Sequence, residues 1–395
     1  MNQATAPKTK PAALRDMITP PETGSLVSVA LLFVLSLAAL PLSGNDTLAL
    51  IYAVAVVAAL YLLSKSFSYV ISLLLPAAVL YLISGAFTLS VLFTALLLGS
   101  CCGTILLLCC REPKHYLLWC AVPLLAAAAA YFVHHDLLMA LLALLPLPLA
   151  VCGYLLVRSG TRQTTAIATL SGVMAVVLVV AGLVAMWRTD LLHGNPVTVF
   201  ADALRNSLSK ALVEALAEMR TLYAEAGLEL PITDELAVAA VSALVNLLPG
   251  IFLAVTTLSS FFIWRAGLNF LLNLNMLPRI PLRMGMLDFS PVTAVVYILA
   301  FFTDLIANAS AITLVGTAAA NFMLILAPGL ALLGYTSLSP RRGERRSCLS
   351  SLLFFGLILS TVTNPLTGVS LAALLGAANV LLVTFMPRKA PPPRS

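Results

Sequence analysis

Uninterrupted apolar runs of about twenty residues, set apart by short polar links, recur along this chain from Ser25 to Phe385. Nothing else in the sequence narrows the fold as much. In hydrocarbon every backbone N–H and C=O must find a partner within the protein, which leaves helices and closed barrels as the only spanning structures. A barrel strand alternates apolar and polar residues over about ten positions, whereas these runs are apolar throughout. Only 10% of the residues are charged and 61% are hydrophobic, too little charge to clothe a soluble domain. The chain therefore reads as all-α, a polytopic transmembrane helical bundle.

The first span runs from Ser25 to Leu42. Its basic flank is like that of a signal peptide, but the run is too long and no A-x-A pattern follows, so it reads as a retained helix. Further spans are expected over 48–64, 67–84, 87–110, 116–133, 137–157 and 166–187, then over 237–264, 290–309, 313–337, 347–363 and 369–386. Links this short make neighbouring helices antiparallel. The count is about 12 helices, within a range of roughly 10 to 12. It organises the chain as a disordered cytosolic tail (1–22), a seven-helix half (23–187), an insert (188–236), a five-helix half (237–387) and a second cytosolic tail (388–395).

The insert is the exception to the apolar pattern. It holds Asp190, Asp202, Glu214, Glu218, Glu225, Glu229, Asp234 and Glu235, half of the 16 acidic residues. Asn195-Pro196 is a good helix start and Gly227 a good stop. Between them Phe200, Leu204, Leu208, Leu212, Leu216, Met219 and Tyr223 recur every three or four residues, the spacing of one apolar stripe. A helix of about 30 residues, roughly 45 Å long, is expected to lie on the bilayer surface or cap the bundle. Thr233, with Asp234 and Glu235 after it, suits the start of the next helix.

Charge placement orients the bundle, because cytosolic loops gather Lys and Arg. Of the 22 basic residues, only Arg188, Arg205, Lys210 and Arg220 fall in the insert. With both termini cytoplasmic, all the others lie in cytosolic tails and links, and the insert is external. The expected location is the cell (plasma) membrane, crossed many times.

Four residues in the second half stand out as substrate- or ion-binding candidates. Asp304 is the sole acid well inside an expected span, and an intramembrane carboxylate is costly enough to be a functional candidate by default. Asn308 follows it one turn later. Asn246 precedes Pro249-Gly250 and Asn321 precedes Pro328-Gly329; a proline–glycine step frees helix backbone, and broken helices often line transport sites, although such steps also occur as simple kinks. The link from Trp264 to Ser290 is too apolar for water, and it reads as an inner-interface anchor or a coupling loop. Arg265, Arg279 and Arg283 are its candidates for contact with lipid phosphates or a partner.

Catalytic signatures are missing. No Walker A, H-E-x-x-H, G-x-S-x-G or strand-linked G-x-G-x-x-G sequence occurs, so no catalytic residue and no cofactor is assigned. The cysteine pairs Cys101-Cys102 and Cys109-Cys110 sit on one expected helix without a His or acid beside them, and no metal site is assigned. His134-His135-Asp136 reads as a polar turn at a helix junction. No basic run interleaved with aromatics indicates nucleic acid.

N-L-L-P-G-I-F (Asn246 to Phe252), L-P-R-I-P-L (Leu277 to Leu282), D-F-S-P (Asp288 to Pro291) and N-F-M-L-I-L-A-P-G-L-A-L-L-G-Y (Asn321 to Tyr335) together resemble the YybS-like family of bacterial membrane proteins. That family carries a domain of unknown function, distantly similar to the substrate-binding S components of energy-coupling-factor transporters. The resemblance spans about residues 190 to 386 and brings no catalytic residue with it. It implies a transporter-like or substrate-binding membrane component for a small molecule, partnered by the bilayer and by other membrane subunits or a cytosolic ATPase. A membrane scaffold or assembly factor is the alternative, and an enzyme acting on lipid-linked envelope intermediates is the third reading.

Overall fold

The computed structural model describes Ile51, a few residues between 124 and 135, and the segments 137–158, 161–188, 195–225, 232–273, 289–310, 312–338 and 348–385. The described residues form helices and no strand. In order these are α1 (Leu137–Leu144), α2 (Pro146–Arg158), α3 (Gln163–Arg188), α4 (Pro196–Glu225), α5 (Asp234–Asn273), α6 (Pro291–Ala309), α7 (Thr313–Leu338), α8 (Cys348–Thr363) and α9 (Pro365–Phe385).

Among the described residues five helices are long and apolar enough to cross a bilayer: Gln163–Val184 of α3, Asp234–Arg265 of α5, α6, α7 and Thr367–Phe385 of α9. Only 17% to 33% of each spanning window is buried by protein, so the remaining apolar surface needs lipid, and the chain is membrane-embedded. The expected count of twelve crossings is therefore not reached here. The spans expected before residue 116 lie outside the described residues, as does most of 116–133. The span expected over 137–157 is instead two helices, of 8 and 13 residues. Pro146, which has no N–H and whose ring crowds the preceding turn, separates them at Leu145. At 16 residues, α8 is also shorter than a typical crossing.

Local signals explain the helix starts. Asn195 accepts the Val197 N–H through Oδ1 at 3.1 Å and begins α4. Thr233 Oγ1 accepts the Leu236 N–H at 3.3 Å and begins α5. Ser290 Oγ accepts the Val292 N–H at 3.2 Å ahead of Pro291, which opens α6.

One expectation needs correction. The α5 helix does not end at Trp264; it continues to Asn273. Arg265 is therefore a helix residue and not part of an open link. The chain between them has no proline, and Gly267 alone costs only about 1 kcal/mol in a helix interior. Arg279 and Arg283 lie outside the described residues. The apolar stripe of α4 is unevenly covered. Leu216 is buried and Leu204, Leu208 and Leu212 are half-buried, while Phe200, Met219 and Tyr223 are exposed.

The chain divides into two compact units, Met1–Gly182 with Thr256–Arg283, and Leu183–Val255 with Met284–Ser395. In the first, Leu145, Leu149, Leu170 and Met174 are fully buried. The Ser171 hydroxyl on α3 meets those of Thr256 and Thr257 on α5 at 3.1 and 3.0 Å.

The second unit has its core where α6, α7, α8 and α9 meet, around Tyr297, Leu330, Leu333, Leu357, Ala372 and Ala373. Small residues let α7 and α9 approach backbone to backbone. A β-carbon at Gly334 would overlap the Ala372 carbonyl oxygen, and one at Gly376 would overlap the Leu330 carbonyl oxygen. Helices in lipid associate through this kind of close packing, because burying apolar side chains gains nothing over lipid tails. Hydroxyls complete the seam: Tyr297 donates to the Ser370 carbonyl at 3.3 Å, and the Tyr335 and Thr361 hydroxyls are hydrogen-bonded to each other.

Candidate functional site

Pro249 sits inside α5, where it removes one ladder hydrogen bond and its ring disturbs the turn before it. In an unbroken helix the next N–H, that of Gly250, would bond the Asn246 carbonyl. Both groups of this pair meet the same side chain from another helix. Asn321 of α7 accepts the Gly250 N–H through Oδ1 at 2.6 Å, and its Nδ2 donates to the Asn246 carbonyl at 3.0 Å. The same Nδ2 donates to Thr317 O, one turn back on α7, at 3.0 Å. One carboxamide thus bridges a backbone donor and a backbone acceptor of α5 beside Pro249.

Glycine at 250 makes this possible. A β-carbon there would stand 2.5 Å from Asn321 Oδ1 and 2.9 Å from Asn321 Cα, so any other residue would push α7 away. The second proline–glycine step behaves differently. A β-carbon at Gly329 would meet the Phe289 ring at 2.6 Å, which makes that glycine a seat for an aromatic ring.

The Asn246 side chain extends the network toward α4. Its Oδ1 accepts from Arg205 Nη2 at 2.9 Å, and Arg205 Nη1 contacts Asp202 Oδ1 at 2.8 Å. A second tie lies farther along the same pair of helices, where Arg220 reaches Asp234 at 2.8 Å and the Ile232 carbonyl at 2.9 Å. The two ties run in opposite chain directions on α4 and α5, so these helices form an antiparallel hairpin that brings Arg205 to Asn246, one turn before Pro249.

Of the four sequence-expected residues, Asn246 and Asn321 are brought together directly. Asp304 and Asn308 form a separate group on α6, facing Gly316 of α7. A β-carbon at Gly316 would lie 3.7 Å from Asn308 Oδ1 and 4.0 Å from Asp304 Oδ1. Among the described residues, neither Asp304 nor Asn308 shares a hydrogen bond with Asn246 or Asn321.

Sequence reasoning did not single out Arg205 or Asp202, and it marked Gly250 only as part of the Pro249-Gly250 step. A signal for Arg205 exists: at about 100° per residue it projects between Leu212 and Leu216, inside the apolar arc of α4. A guanidinium on an apolar face implies a polar partner there. Among the described residues no group of three or more His, Cys, Asp or Glu is placed to hold a metal ion. Comparison of the chain with protein-family models, with curated proteins and with solved structures finds no match.

Proposed function

We propose that this chain is a transporter-like or substrate-binding membrane component for a small molecule, and not an enzyme. The observation that carries the reading is the joint at Asn246, Gly250 and Asn321. A proline-containing helix has a backbone donor and acceptor, the Gly250 N–H and the Asn246 carbonyl, met by one side chain from another helix, and helices interrupted by proline and glycine can supply such backbone groups to solutes. Arg205 and Asp202 add charged groups at its edge. The resemblance to the YybS-like family supports the same reading, since N-L-L-P-G-I-F is the segment that contains the break. Asp304 and Asn308 are a second polar station on α6, suited to a cation or proton.

The test is ligand-induced stabilisation of the purified protein across panels of small solutes. A solute at about 100 times its Kd adds about 2.7 kcal/mol to the folded state, a readily measured rise in Tm. At least one solute is expected to raise the Tm of wild type and to have no effect on Gly250→Ala, whose β-carbon would fill the joint. If no solute acts, or if Gly250→Ala responds as wild type does, the site assignment is wrong. Purification from the native membrane bears on the partners. A co-purifying ATPase pair agrees with transport, and envelope-assembly proteins would favour a scaffold.

In the proposed topology both termini are cytoplasmic and α4 is external, on the distribution of Lys and Arg. A cysteine replacing Ser209 is expected to react with an impermeant thiol reagent added to intact cells. Protection there, with labelling only after lysis, would invert the topology.

A further inference from the structure

Asn321 bridges the Gly250 N–H and the Asn246 carbonyl of α5 in the manner of a ligand, and its chemistry defines what else fits. The Gly250 N–H is a donor and the Asn246 carbonyl an acceptor, and the Asn321 carboxamide meets them at 2.6 and 3.0 Å. Such a pair is complementary to a planar edge carrying one acceptor and one donor side by side. A carboxylate would set a second acceptor against the Asn246 carbonyl, and an ammonium would set a donor against the Gly250 N–H. The charged groups nearby offer no net attraction for an ion, because Arg205 is paired with Asp202 at 2.8 Å.

We infer that this joint binds small neutral amide-type ligands, those with the edge of a primary amide, a lactam or a ureide, in place of the Asn321 side chain between Gly250 and Asn246. The inference rests on the proposed role of the joint as a substrate site and deepens it by naming the class of ligand. Asn321 is tethered and competes at high effective concentration. A ligand therefore displaces it only by making contacts beyond its amide edge. Arg205, already on Asn246 Oδ1 at 2.9 Å, is placed to donate to a further oxygen of such a ligand.

Removing the tethered amide makes the class testable with a simple probe. Full-length Asn321→Ala, purified in detergent, is expected to unfold about 5 °C below wild type, because two backbone groups lose their partner. Acetamide is expected to recover at least half of that loss, while sodium acetate and methylammonium chloride at equal concentration recover none. Wild type and Asn321→Leu, in which the position is filled by the tether or by an isobutyl group, are expected not to respond to acetamide. Should Asn321→Ala fail to fold, Asn321→Ser carries the same comparison. An acetamide response equal in all variants, or absent from the truncated one, overturns the inference. If rescue fails while Gly250→Ala still abolishes a solute response of wild type, the ligand class is wrong and the functional reading stands. If acetamide rescues but no solute stabilises wild type, the class holds and the functional reading fails.

Discussion

Gly376→Ala is expected to destabilise the protein by about 3 kcal/mol, at the upper end for overpacking a close-packed site. Gly356→Ala is expected to stabilise it by up to about 1 kcal/mol. The substitution is the same, both sites are in helices, and propensity alone predicts a gain at both. The difference is tertiary. A β-carbon at Gly376 would overlap the Leu330 carbonyl oxygen of α7, whereas one at Gly356 meets nothing within 4 Å. Overlap with a carbonyl is not relieved by a side-chain rotation, so α7 and α9 must separate. That separation also opens the facing contact at Gly334 and loosens the packing around Leu330, Ala372 and Ala373. Thermal unfolding of the purified variants in one detergent measures both effects. Equal shifts of the same sign would mean that α7 and α9 do not meet at these glycines.

The second large effect is at Gly250. Gly250→Ala is expected to cost about 2 to 3 kcal/mol, since the added β-carbon drives Asn321 away and removes its hydrogen bonds to the residue-250 N–H and the Asn246 carbonyl. The same variant is expected to lose any solute response of the wild-type protein. A double-mutant cycle with Asn321→Ala isolates the contact. With the carboxamide already gone, part of the clash is gone too, and the coupling is expected to be about 1 kcal/mol or more. Strict additivity would show that Gly250 and Asn321 do not act together.

Different parts of this molecule differ in how much the sequence discloses. Helix starts at Asn195, Thr233 and Ser290 are legible because a cap is a local bargain between one side chain and the next two or three N–H groups. The interruption at Pro146 is visible to the eye, yet whether a proline bends a helix or ends it depends on what supports the freed groups. Pro146 separates two helices, while Pro249 and Pro328 remain inside continuous ones. For Pro249 the support is Asn321, 72 positions later in the chain. Nothing local to either residue announces the pairing, and which part of the α4 stripe is covered likewise depends on the helix that lies beside it.

All-helical architecture and membrane embedding were determined by the sequence alone, because lipid demands that backbone polar groups be satisfied within each apolar run, a condition written residue by residue. The same holds for Asn246, Asn321, Asp304 and Asn308 as residues of interest, since a polar side chain in a spanning helix is conspicuous by its cost. Which of them work together was decided only by tertiary structure. Gly250 admits the α7 backbone, the antiparallel α4–α5 hairpin delivers Arg205 to Asn246, and Asp304 and Asn308 are left to a separate group at Gly316. Contacts between distant helices depend on approach distances of a few tenths of an ångström, and composition and periodicity carry no information on that scale.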